Sequence, residues 1–264
     1  VCSLIVDEMR AKEKLQYNKQ RDCFVGQVDI GQEEQNGDLV LESSLLCFVI
    51  CGLSTTYRIP IAYYFTKGPT GPQLHKLLIF VMQKVEACGF RIVRLVTDNH
   101  KVNANCMKLL GNDLLTYRIE NTCDRSRLLF ISFDPCHVLK NVRSQFLSRD
   151  LGPNGEISAS HGKDLYELQK GLSVKPVRYL SINHVYPSNT ENMSVTKAAQ
   201  LMSPSVTVAL DNLKDQDEHT CAQSFSITFM QNVYRWFVLH DVSNTTQHIH
   251  QNCSDARHFD DIRG

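Results

Sequence analysis

The sequence runs to 264 residues, long enough for two domains, and its 28 basic and 28 acidic side chains give a formal net charge of zero. A generally basic surface is thereby excluded, so any grip on nucleic acid must come from a local patch or from parts outside this chain. Ten cysteines without a CxxC pair exclude a zinc ribbon and read as reduced thiols of a cytosolic or nuclear protein; no apolar run approaches the ~18–20 residues of a membrane span.

The chain opens inside an apolar run without an initiator Met or a signal-peptide layout, which suggests that it derives from a longer protein. Residues 2–6 predict a first strand, followed at once by Asp7-Glu8-Met9, so an acid stands at its carboxyl end. A charged stretch from Arg10 to Arg21 leads to a short extended segment, Asp22 to Asp29, and a polar loop, Gly31 to Asp38. Leu45 to Gly52 and Tyr57 to Phe65 predict two antiparallel core strands joined by a turn at Ser54-Thr55-Thr56. Leu74, Leu77, Leu78, Val81, Met82 and Val85 recur at helical spacing up to a stop at Gly89. Ile92 to Thr97 is another strand, closed by Asp98, and a helix carrying Met107, Leu109 and Leu110 follows.

The next strand, Leu128 to Phe133, ends in Asp134 and runs directly into a helix at Pro135, a residue suited to a first helical turn. There Val138, Leu139, Val142 and Phe146 take helical spacing, which leaves His137, Lys140, Asn141 and Arg143 for the other faces. Such a junction suits a phosphate near a helix N-terminus, and equally suits a capped helix with a solvated basic face. Beyond it lie a turn at Leu151 to Gly155, a short helix over 163–170, an Ala-, Val- and Leu-rich stretch over 194–210 and a longer helix over 223–242. The polar tail holds His248, His250 and His258, which read as a solvated segment rather than a metal site.

The fold class expected is therefore α/β: a mixed sheet over residues 1–134 and a mainly α-helical unit over 135–264. Strand-end acids that converge can hold two divalent ions about 3.5–4 Å apart for phosphoryl displacement. Each Asp can equally just end a strand or cap the next helix.

Four blocks resemble the P-element-type transposases: Leu4-Ile5-Val6-Asp7-Glu8-Met9; Val96-Thr97-Asp98 with Asn103; Phe133-Asp134-Pro135-Cys136-His137-Val138-Leu139-Lys140-Asn141; and His184-Val185 followed by Met193, Val195, Ala198-Ala199-Gln200 and Ser203. The resemblance implies an RNase H-like catalytic domain followed by a GTP-binding insertion domain. It implies a DDE/D-type DNA transposase in which Asp7 and Asp98 are the first two catalytic ligands of Mg²⁺ or Mn²⁺. It also implies that Asp134 and Lys140 help hold GTP, a non-hydrolysed cofactor. Transposon ends and target DNA would be the partners, the full-length protein a homo-oligomer with no membrane association, and the nucleus its location.

Asn99-His100 stands where family members often carry Gly, and the family's third acid, a Glu beyond the insertion, has no counterpart here, so this chain alone is expected to be inactive. The alternative is a domesticated, non-enzymatic derivative that serves as an interaction or nucleotide-binding module.

Overall fold

The computed structural model describes residues 1–12, 15–20, 22–25, 28–29, 43–214 and 220–241, and the chain divides into two compact units, Val1–Asp134 and Pro135–Gly264. The first unit contains β1 (Cys2–Arg10), β2 (Gln16–Asn18), β3 (Cys23–Val25), β4 (Ser44–Gly52), β5 (Arg58–Thr66), α1 (Gly71–Ala87), β6 (Ile92–Thr97), α2 (Lys101–Leu110), β7 (Arg118–Glu120) and β8 (Leu128–Phe133). Six strands form one mixed sheet in the order β5-β4-β1-β6-β8-β7. β4 is antiparallel to both β1 and β5, β1, β6 and β8 run parallel, and β7 is antiparallel to β8.

Period-two burial sets which face of the sheet is covered. Leu46, Phe48 and Ile50 of β4 and Cys2, Leu4 and Val6 of β1 are buried with Leu74, Leu78, Met82 and Val85 of α1 and Cys106 and Met107 of α2. Each such aliphatic side chain contributes about 1.5–3 kcal/mol by burial, and a one-residue slip would turn the whole apolar set of a strand to the opposite face. Helix α1 starts at a capping box, Gln73 N–H donating to Thr70 Oγ1 at 3.4 Å and Thr70 N–H to Gln73 Oε1 at 2.9 Å. It meets α2 closely enough that a Cβ on Gly71 would come within 2.4 Å of Asn105 Nδ2.

The second unit is built from α3 (Pro135–Ser148), α4 (Ser160–Gln169), α5 (Ile182–Val185), α6 (Asn189–Asn192), α7 (Val195–Met202), α8 (Pro204–Lys214) and α9 (Thr220–His240). Leu139, Phe146, Leu165, Leu201, Met202, Val206, Leu210 and Met230 form its core. Its described residues contain no strand, only an isolated bridge between Leu151 and Ile157. The mixed sheet followed by helices is the class the sequence led us to expect.

Several boundaries differ. β1 continues to Arg10 because β4 pairs with it throughout, Arg10 lying opposite Ser44. The charged stretch after it holds β2, which pairs with β3 in the extended segment that follows, and Asp29 bridges Phe65. Pro204 splits the stretch over 194–210 into α7 and α8, since its ring cannot continue a helix interior. Arg143 is fully buried, not on a solvated face: α3 turns Leu139, Arg143 and Phe146 inward while Val138 and Val142 are only half-buried. The loop over 31–38 and His248, His250 and His258 lie outside the described residues.

Candidate functional site

The parallel register sets the site. β1 and β6 pair from Ser3 opposite Arg94 to Val6 opposite Thr97, and β6 and β8 pair up to Thr97 opposite Phe133, with Asp134 N–H donating to Thr97 O at 2.8 Å. Asp7, Asp98 and Asp134 thus each follow the last paired residue at the carboxyl ends of three neighbouring parallel strands, about 4.8 Å from one strand to the next. Ligands of open α/β sheets bind outside such ends. Asp7 does not terminate its strand, as residue pattern alone had suggested; it marks where β6 leaves β1 while β4 continues alongside.

Side-chain tethers differ at the first two acids. Asp98 Oδ1 accepts from His100 N–H at 2.8 Å and from Asn103 Nδ2 at 2.6 Å. Asp7 Oδ1 accepts from Glu8 N–H at 2.9 Å. Among the described residues the Oδ2 atom of each has no hydrogen-bond donor, and hard carboxylate oxygens of this kind fit Mg²⁺ or Mn²⁺. Strand alternation directs Glu8 to the face of Val6 and Leu4, and Asp7 to the other face. An open cleft of about 580 Å³ at this end of the sheet is lined by Glu8, Arg10, Lys67, Asp98, His100 and Asn103, among others. Glu8 is the acid the sequence reasoning passed over, and its position one residue beyond Asp7 was the available signal. Among the described residues no three His, Cys, Asp or Glu side chains close on one point to hold an ion.

Asp134 and Lys140 fall in different units and are placed each within its own: Asp134 as the residue after β8, Lys140 half-buried on α3 between Leu139 and Arg143. Lys140 has no carboxylate partner among the described residues. One turn on, the Arg143 guanidinium donates from Nη2 to Glu191 O at 2.6 Å, while its buried Nε and Nη1 find no acceptor among the described residues. Burial lowers the pKa of Arg143, and the Glu191 charge opposes the shift in part. The Glu191 carboxyl is held below its usual range first by Ser188 N–H, at 3.0 Å, and then by Lys197 Nζ, at 3.1 Å.

His184 and Gln200, which belong to the most distinctive sequence block, are joined: His184 Nε2 lies 2.9 Å from Gln200 Oε1, and Ser181 N–H donates to Nδ1 at 3.2 Å. Because Nδ1 accepts that backbone proton, the hydrogen sits on Nε2 and is donated to Gln200. The motif therefore fastens α5 to α7. The seven described cysteine side chains are free thiols, and burial pushes Cys106 up to about 12. No described helix is long and apolar enough to cross a membrane.

Residues 1–111 match the family described as TNP-like, RNase H N-terminal domain, and residues 136–255 the TNP-like, GTP-binding insertion domain. The DNA transposase THAP9 of Homo sapiens is 25% identical over 228 residues, which are 82% of this chain and 24% of that protein. The Drosophila P element transposase strand transfer complex superposes with a TM-score of 0.73 at 17% identity, over 90% of this chain and 50% of that one. This likeness makes the first unit's fold RNase H-like. The chain spans about a quarter of the length of the human relative.

Proposed function

The chain belongs to the TNP-like, P-element-type transposase family, and from that premise we propose that it forms the first part of a divalent-metal-dependent DNA transposase whose insertion domain takes GTP as a non-hydrolysed cofactor. The single observation that supports the reading is the parallel register ending at Val6 and Thr97, after which Asp7 and Asp98 are the next backbone positions on two neighbouring strands. Divalent ions at such a pair supply activation of an attacking hydroxyl and stabilisation of the leaving oxygen of a phosphodiester.

The protein's own contribution is orientation. Two N–H donors fix Asp98 Oδ1, so that Oδ2 is the oxygen offered to an ion; Glu8 N–H does the same for Asp7. Transposon ends and target DNA are the proposed substrates, the nucleus the proposed location, and a homo-oligomer the proposed working form of the full-length protein. In the second unit Lys140, a half-buried cation without a carboxylate partner among the described residues, suits a nucleotide phosphate; Asp134 is proposed to contribute separately.

The test is strand cleavage and transfer by the full-length protein in Mg²⁺ or Mn²⁺. Asp7→Asn and Asp98→Asn should each abolish activity without changing the melting temperature. Loss with Glu8→Gln but not with Asp7→Asn would instead make Glu8 the first ligand and end this assignment.

A further inference from the structure

The cleft at the carboxyl ends of β1 and β6 carries two cations that the metal site does not use. Arg10 closes β1, opposite Ser44, and Lys67 follows the last residue of β5, so β1, β4 and β5 bring the two to one rim. Both are exposed. Glu8 and Asp98 line the same cleft, yet among the described residues neither Arg10 nor Lys67 forms an ion pair. Glu8 instead accepts from Thr66 Oγ1 at 3.4 Å, and Asp98 spends one oxygen on His100 and Asn103. An acidic floor beside two unpaired cations divides the cleft by sign. Asp98, the one proposed metal ligand that lines this cleft, suits an ion, and the rim suits an anion.

Within a chain of no net charge, any hold on a polyanion comes from a local patch such as this one. We infer that Arg10 and Lys67 bind the DNA backbone next to the reacting phosphodiester and so position it over the acids. The inference rests on the transposase reading and adds to it the residues that hold the substrate. Arg10 and Lys67 are positioning residues: they touch flanking phosphates, carry no base-reading role, and act uniformly across sequences.

The test uses the chain described here and a short fluorescent single-stranded DNA in Ca²⁺, with affinity read by anisotropy over a range of salt. Arg10→Ala and Lys67→Ala should each weaken binding severalfold and lower the slope of log affinity against log salt by about 0.7, while Lys108→Ala at the far end of α2 changes neither. Unchanged slopes, no binding by the parent chain, or a preference for RNA of the same sequence would each overturn the inference. Asp98→Asn separates the two claims. Loss of the Ca²⁺ dependence with the salt slope retained supports the metal reading, and Ca²⁺ dependence that survives Asp98→Asn counts against that reading without touching the result for Arg10 and Lys67. Melting curves confirm that each variant is folded.

Discussion

Val6 and Thr97 face each other as the last residues of the parallel pairing between β1 and β6, and each is followed by an aspartate. The acid on β6 is the more firmly held, because Asn103 on the first turn of α2 reaches back five residues to Asp98 at 2.6 Å. An orienting partner of this kind typically changes metal affinity 10–100-fold. Asn103→Ala should therefore weaken Mn²⁺ binding by about tenfold in a calorimetric titration, with the fold intact. Affinity equal to the parent's would mean that Asp98 is no ligand or needs no orientation.

That arrangement was partly legible in the sequence. Apolar runs closed by Asp98 and Asp134 mark true strand ends, whereas Asp7 marks only the end of the apolar run within β1, and the adjacency of the three strands comes from the sheet. What could not be read is how far β1 runs, because that depends on β4 pairing as far as Ser44, a contact between residues far apart in the chain. Glu8 was missed for the same reason: its face is fixed only once Leu4 and Val6 are seen to pack under α1 and α2. Arg143 defeats pattern reading altogether. A guanidinium is almost never fully buried, so helical spacing alone assigns it to solvent.

Arg143 yields a sharper expectation. It is 0% exposed, with a hydrogen bond from Nη2 to Glu191 O and, among the described residues, no acceptor for Nε or Nη1. Replacing a buried, poorly paired charge by an apolar side chain of similar volume is often neutral or stabilising, whereas truncation leaves a cavity. Arg143→Met should match or exceed the parent's stability, and Arg143→Ala should lose about 2–5 kcal/mol. Trp236, the single tryptophan, lies on α9 in the same unit, so urea unfolding followed by its fluorescence reads this unit directly. Equal large losses for both variants would show that the charge itself is needed.

Acid should act on the first unit through Asp124. Ser126 and then Arg127, at 2.7 Å, hold its carboxyl at about 2, against an ordinary 3.8. A carboxyl depressed by folding contributes stability that is whole above its unfolded value and lost as pH falls through its folded one. That contribution should disappear between pH 4 and pH 2, about the two values just given. Asp124→Asn should flatten the fall of melting temperature over this window, and a fall as steep as the parent's would rule Asp124 out as its source.

The nucleotide expectation turns on Lys140. Its neighbours Leu139 and Arg143 are fully buried and Phe146 almost so, and these fasten α3 to the helical core; Lys140 is half-buried beside them and contributes a charge rather than packing. Lys140→Ala should leave the urea midpoint read at Trp236 nearly unchanged, since it empties no core position. A lysine that meets a phosphate in a partly desolvated setting supplies a charge-assisted bond worth about 1.5–3 kcal/mol, which is roughly ten- to a hundredfold in affinity. Calorimetry should accordingly find GTP bound more tightly than ATP by the parent chain, and GTP weakened by that factor in Lys140→Ala. Asp134→Asn, measured separately, should weaken GTP as well if the acid holds a nucleotide hydroxyl or its Mg²⁺. Equal affinity for the two nucleotides, or GTP binding indifferent to Lys140→Ala, would return Lys140 to an ordinary place on the surface of α3.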